Sequence, residues 1–138
     1  MTQKRALTRN RGIIQQIKKA GITYVDAGWR KFGLVFLEVL EDTTGEDLYG
    51  SVNFDKGTLN LNVSLLRGRE ETTRETLLHE ITHILLDITG LGGNSESDKE
   101  KDIQINNEDL TTRISRGFLL FKNLNPELSE ILFNGREF

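Results

Sequence analysis

The first half of the chain pairs one helical pattern with several short apolar runs. Ile13, Ile14 and Ile17 recur at helical spacing before Gly21, so residues 8–20 are predicted to form a helix that ends there. The segments that follow are short and rich in β-branched and aromatic residues, which is typical of strands. The predicted strands are residues 22–27, 34–40, 49–54 and 58–65. The last two form a hairpin around a turn at 55–57, whereas 34–40 also fits a helix by periodicity alone.

The strand predicted at residues 58–65 has one apolar face and one polar face. Its core-facing positions are Leu59, Leu61, Val63 and Leu65. Its outward-facing positions are Asn60, Asn62 and Ser64. This strict alternation predicts a strand that is half-buried in a sheet.

The second half of the chain is predicted to be helical. Thr72 and Glu75 have the spacing of a capping box, which predicts that a long helix begins there and ends at Gly90. The apolar stripe of this helix consists of Leu77, Leu78, Ile81, Ile84, Leu85 and Ile88. Residues 90–102 are predicted to be a surface loop, and residues 103–123 and 126–133 two further helices.

The composition is that of one folded domain. The chain has 138 residues, of which 36% are hydrophobic and 28% are charged, and it contains a single proline. We expect one α+β domain over residues 1–138, in which an N-terminal helix and a small, mostly antiparallel sheet of three or four strands precede two packed helices. There are no cysteines, which excludes disulfides and thiolate ligands. No signal-like segment or membrane span is visible, so we expect a cytoplasmic protein.

Charge is unevenly distributed along the chain. Residues 1–33 contain eight lysines and arginines and one acid, Asp26, so this segment carries +7 while the remainder carries −10. Such asymmetry can indicate a nucleic-acid contact, but no aromatic interleaving or nucleic-acid motif accompanies it. We therefore interpret the basic segment as a solvated helix face, and a nucleic-acid contact through it is the less favoured alternative.

The only two histidines of the chain, His79 and His83, lie one helical turn apart in "TLLHEITHILL". On a helix this spacing puts both imidazoles on one face, where they can reach the same ion. Glu80 lies beside them without being a ligand. This HExxH pattern predicts a catalytic zinc site in which Glu80 is the general base.

A third zinc ligand must be a carboxylate, because the chain has no further histidine and no cysteine. Asp87 lies another turn, about 5.4 Å, beyond His83 and cannot easily reach the same ion. Glu108 is better located, since it opens the next amphipathic helix, which must pack against the His helix. The neighbouring Asp109 is the alternative ligand, and either acid could instead simply favour the helix N-terminus.

Together these segments resemble a known group of enzymes. The stretch "ETLLHEITHILLD", followed after a polar loop by "NNEDLTTRISRGFLLFKNLNPEL", resembles the small, often phage- or mobile-element-encoded zinc metallopeptidases of the ImmA/IrrE group, which are minimal gluzincins. The likeness covers roughly residues 46–128 and implies a zincin-like fold. By position it makes His79, His83 and Glu108 the zinc ligands and Glu80 the general base.

The resemblance also bears on the substrate. It implies that a peptide lies along the strand at Thr58, Leu59, Asn60, Leu61 and Asn62 by addition to an exposed edge. Several gluzincins stabilise the oxyanion with an extra histidine or tyrosine. The chain has no spare histidine, so its two tyrosines, Tyr49 and Tyr24, are the candidates, although each also suits a core or hairpin position.

Two functions from different classes fit these observations. The first is a zinc-dependent endopeptidase that cleaves an intracellular protein or peptide, and the resemblance implies a regulator such as a repressor. The second is a binding or antagonist protein in which zinc clamps two helices together without catalysis.

Overall fold

The computed structural model describes residues 12–88 and 107–134, with the side chains of residues 107–111 and 134 outside that description. Within these residues there are five helices, α1 Ile13–Lys19, α2 Val63–Leu66, α3 Glu70–Ile88, α4 Asn107–Leu124 and α5 Pro126–Asn134. The four strands are β1 Tyr24–Asp26, β2 Lys31–Leu37, β3 Gly50–Asn53 and β4 Thr58–Asn62. The α+β class is therefore confirmed. The loop predicted at residues 90–102 lies outside the described residues.

The four strands form one mixed sheet in the order β1-β2-β4-β3. The β1–β2 and β3–β4 pairs are antiparallel, as in a hairpin, whereas β2 and β4 pair in parallel at the centre. Two of the three pairings are thus antiparallel, as predicted, but the parallel pairing at the centre was not foreseen. The hairpin of β3 and β4 returns β4 into the middle of the sheet, which leaves β3 at one edge.

Two predicted strands have different bounds in the structure. The second strand occupies 31–37 instead of 34–40, because a tight turn in which the Ala27 N–H donates to the Arg30 carbonyl (2.8 Å) pairs it early with β1. The strand predicted at 58–65 ends at Asn62, where α2 begins. The Asn62 side chain caps α2 by accepting a hydrogen bond from the Leu65 N–H (3.2 Å), so it is buried instead of facing outward.

One face of the sheet packs against the helices and forms the core with them. The buried apolar residues are Ile13, Ile17, Val25, Ala27, Phe32, Leu59, Leu61, Leu66, Leu77, Ile81, Ile84, Leu85, Phe121, Leu128, Ile131 and Leu132. The predicted stripe of α3 faces this core, with Leu78 and Ile88 at its margin. Helices α3 and α4 contact each other, as the pattern of α4 predicted.

The long helix begins earlier than its sequence signal indicated. α3 starts at Glu70, so Thr72 lies inside the helix and does not cap it. The Glu70 carboxylate instead accepts a hydrogen bond from the Ile13 N–H (3.0 Å) and thereby caps α1, the helix next to it. In the described part of the chain, no helix has the length and apolar character needed to cross a membrane.

The buried side chain of Asn125, between α4 and α5, ties these helices to the edge of the sheet. Its Oδ1 accepts from the Asp26 N–H (2.7 Å) and its Nδ2 donates to the Asp26 carbonyl (2.8 Å) and to the Phe121 carbonyl (3.1 Å). The amide thus satisfies both main-chain groups that Asp26 would offer to a further strand.

Replacement of Asn125 by alanine removes all three hydrogen bonds. We expect Asn125→Ala to lower the free energy of unfolding by about 2 kcal/mol, measured by urea denaturation. The exposed Asn123 on α4 provides the matched control, and Asn123→Ala should change stability by less than about 0.5 kcal/mol. Equal effects of the two substitutions would contradict the anchoring role of Asn125.

Candidate metal centre and groove

Helix α3 presents its two histidines to solvent while it buries the opposite side. Leu77, Ile81 and Ile84 lie in the core with at most 1% of their surface exposed, and they fix the rotation of the helix. His79 and His83 lie on the other side and are exposed. The apolar stripe thus determines where both imidazoles point.

The two imidazoles converge at their Nε2 atoms, which lie 3.2 Å apart. The rings are nearly perpendicular, at 80°, so this contact is not ring stacking. Such a distance suits either an N–H donating to the other ring or two lone pairs directed at one cation. With zinc–nitrogen bonds of about 2.0–2.1 Å, nitrogens this far apart subtend an angle of roughly 100°, close to tetrahedral. The separation of the two nitrogens is therefore compatible with a shared zinc ion.

Glu80 lies at the base of a groove beside α3, with 7% of its surface exposed. Within the described residues the carboxylate accepts no hydrogen bond that would stabilise its charged form. Burial raises the pKa of the Glu80 carboxyl, and the positive charge of nearby His79 opposes part of that rise. A carboxylate in this state is a stronger proton acceptor than an exposed one.

Burial also affects the second histidine. Desolvation, with a further contribution from the positive charge of His79, lowers the pKa of His83. The imidazole of His83 is consequently neutral over a wider pH range than that of a free histidine. Neutral imidazole is the form that donates a lone pair to a metal.

The predicted third ligand belongs to α4. The side chains of Glu108 and of its alternative Asp109 lie outside the described residues, although both positions belong to the first turn of α4. The described residues alone contain no group of three histidine or carboxylate side chains that could hold a metal ion. The choice between Glu108 and Asp109 stays a prediction.

A groove of about 760 Å³ runs between α3 and strand β3. The residues that line it are Leu40, Glu41, Gly50, Ser51, Val52, Asn53, Phe54, Asp55, Asn60, Glu80 and His83. The Asn62 N–H donates to the Tyr49 carbonyl (2.9 Å), and hydrogen-bonded pairs alternate along the ladder from that point. The main-chain N–H and C=O groups of Gly50 and Val52 therefore turn away from β4, toward the open edge.

Gly50 allows α3 to approach this strand closely. A Cβ atom at this position would lie 2.8 Å from Thr76 Cγ2, 3.1 Å from the Asn60 carbonyl oxygen and 3.3 Å from Glu80 Cγ. The first distance is shorter than van der Waals contact allows, and the second involves backbone. Any larger residue would thus push α3, together with Glu80, away from the edge of the sheet.

The structure corrects the predicted substrate strand. β4 pairs with β2 on one side and with β3 on the other, so residues Thr58–Asn62 have no free edge to which a peptide could be added. Leu59 and Leu61 are wholly buried in the core, and Asn62 caps α2. Only Asn60 lines the groove, where its Nδ2 donates to Ser51 Oγ (3.2 Å). The strand edge that faces the groove belongs to β3.

Neither tyrosine lies in the groove. Tyr24 is on β1, and β2 and β4 separate it from β3, which corresponds to about 14 Å across the sheet. The Tyr49 hydroxyl accepts a hydrogen bond from Arg69 Nη1 (3.1 Å), just before α3 begins, whereas His79 lies more than two turns further along that helix. The structure therefore does not bring either predicted oxyanion donor to the histidines.

Sequence reasoning missed β3 and the residues around it as part of the site. A glycine inside a predicted strand, as at Gly50, often marks the close approach of another element, and this signal was present. Glu41 and Leu40 had no comparable signal. They reach the groove through the hairpin in which the Leu48 N–H donates to the Leu40 carbonyl (2.9 Å).

Comparisons of the chain with protein-family models, curated proteins and solved structures found no match. The residues and geometry of the site are therefore the basis for a functional proposal.

A methyl group at position 50 tests the close approach of α3. We expect Gly50→Ala to lower the free energy of unfolding by about 1–3 kcal/mol, because the helix must move outward. Gly33 is the matched control, since it also lies in a strand and a Cβ there would meet only the Gly57 carbonyl oxygen, at 4.0 Å. Gly33→Ala should leave stability unchanged or raise it slightly. Urea denaturation measures both, and a neutral Gly50→Ala would contradict the packing argument.

Proposed function

We propose that this protein is a zinc-dependent endopeptidase that cleaves an intracellular protein or peptide. The observation that carries the proposal is the approach of the two histidine Nε2 atoms to 3.2 Å, directly beside a buried carboxylate in an open groove. His79 and His83 are the proposed ligands, with Glu108, or else Asp109, as the third. The resemblance to the ImmA/IrrE group supports the same assignment and a zincin-like fold.

The chemistry divides between the metal and Glu80. Zinc, when bound, supplies Lewis-acid polarisation of a carbonyl and a lowered pKa of coordinated water. Glu80 accepts a proton from the attacking water and later donates it to the leaving amine, so the carboxylate ends the cycle as it began. Its burial suits both steps, because a raised pKa makes it a better acceptor and a competent acid.

Strand β3 is the proposed binding surface for the substrate main chain. Among the described residues, no partner takes up the N–H and C=O groups of Gly50 and Val52, which lie at the edge that faces Glu80 and His83. An extended peptide can add to this edge as a further strand, which aligns one of its peptide bonds with the histidines. This replaces β4 in the role that the sequence suggested.

The alternative is a zinc-stabilised binding or antagonist protein without catalysis. It is favoured by the positions of Tyr24 and Tyr49, because neither tyrosine lies in the groove to stabilise an oxyanion. In that case chelation would destabilise the fold, while no peptide would be hydrolysed at any zinc concentration.

Glu80→Gln separates the two functions. The substitution keeps the size of the side chain but removes the proton acceptor, so we expect hydrolysis to fall by about 10²–10⁴-fold with zinc binding retained. The measurement is cleavage of a casein or peptide-library substrate, analysed by mass spectrometry. Glu75→Gln, an exposed position on the same helix, is the control and should keep full activity. Equal cleavage by Glu80→Gln and the native protein would remove Glu80 from the mechanism.

Single substitutions identify the zinc ligands. We expect His79→Ala and His83→Ala each to weaken zinc binding by more than the roughly 10–100-fold that follows loss of an outer-shell partner. Of Glu108→Gln and Asp109→Asn, only the one that removes the third ligand should have an effect of this size. Isothermal titration with zinc, together with metal analysis after dialysis, measures the loss of zinc affinity in each variant. Unchanged zinc affinity in either histidine variant would disprove the site.

A further inference from the structure

The groove beside α3 has a strongly acidic lining. Glu41 belongs to the hairpin that precedes β3, where it pairs with Asp47, and Asp55 lies two residues after the end of β3. Glu80 lies between α3 and the strand. Among the described residues, no lysine or arginine lines the groove.

The two outer carboxylates are not neutralised by partners. Within the described part of the chain, neither Glu41 nor Asp55 forms an ion pair. Arg30 comes near this end of the sheet, but its Nη2 donates to the Phe54 carbonyl (2.8 Å) and its guanidinium lies 4.4 Å from the centroid of the Phe32 ring. Both outer carboxylates are therefore exposed to whatever enters the groove.

Two independent features indicate that a peptide is what enters. Glu80 is more than nine-tenths buried, faces the groove and has no hydrogen-bond partner among the described residues. The free main-chain groups of Gly50 and Val52 need hydrogen-bond partners that an extended peptide supplies. The four residues of β3 match a segment of about four substrate residues, since both advance about 3.4 Å per residue.

We propose that the groove selects extended peptide segments that carry lysine or arginine side chains. Glu41 and Asp55 attract basic side chains near the two ends of the bound segment and repel acidic ones. This inference rests on the proposed function, because it names the class of substrate for the same groove. It concerns binding, however, and can be tested without turnover.

Binding to the Glu80→Gln protein provides the test. Three dye-labelled ten-residue peptides are compared, in which threonine alternates with lysine, glutamine or glutamate. Fluorescence anisotropy is measured with the metal-free and the zinc-loaded protein. We expect the lysine peptide to bind about tenfold more tightly than the glutamine peptide and the glutamate peptide to bind most weakly. The preference should shrink between about 20 mM and about 0.5 M salt, since exposed charges are screened.

Charge variants test whether Glu41 and Asp55 cause the preference for the lysine peptide. Glu41→Gln and Asp55→Asn should each weaken lysine-peptide binding by about threefold, and together they should abolish the preference over the glutamine peptide. The control is Glu127→Gln with Glu130→Gln, which makes the same change in net charge at two exposed positions of α5. This control should keep the preference.

The outcomes distinguish this inference from the proposed function. Equal binding of the lysine and glutamine peptides, no binding of any peptide, or equal losses in the groove and control variants would each overturn charge selection. Zinc-dependent hydrolysis by the native protein tests the proposed function separately. Selective binding without hydrolysis would keep the present inference and support the non-catalytic alternative.

Discussion

The close contact between α3 and β3 at Gly50 is the constraint on which the candidate site depends. A helix that packs directly on a strand backbone buries whichever of its side chains points to that strand, and here this includes the carboxylate of Glu80. The histidines lie one residue before and three residues after Glu80, so this contact and the apolar stripe of α3 together determine where their rings converge. The packing of α3 thus sets both the burial of the proposed base and the direction of the proposed ligands.

Features that depend on local spacing were predictable from the sequence. The apolar stripe of α3 and the i, i+4 spacing of His79 and His83 are helical properties, and the structure reproduces the expected convergence of both rings. The C-terminal end of α4 and both ends of α5 were predicted to within one residue, because Pro126 separates the two helices sharply. The start of α3 was missed since Glu70 acts as a cap for α1, a contact between residues 57 positions apart.

Features that depend on strand pairing were not predictable in the same way. Alternation at Leu59 and Leu61 correctly identified a half-buried strand, but it contains no information about which edge of that strand is free. The parallel pairing with β2 occupies that edge and transfers the open position to β3. The alternation pattern also did not reveal the burial of Asn62. A polar residue at the end of a strand can be buried as a helix cap as readily as it can face solvent.

In the proposed function, recognition and chemistry belong to different segments of the chain. Residues 41–55 supply the exposed strand edge and both outer carboxylates, whereas α3 supplies the histidines and Glu80. The two segments meet mainly through packing at Gly50, so exposed positions of the first can change without disturbing the core that orients the second. Substitution at Glu41 or Asp55 alters surface charge alone, which affects binding of a charged partner but leaves the buried contacts of α3 intact. The proposed selectivity of the groove would therefore be adjustable independently of its proposed catalytic residues.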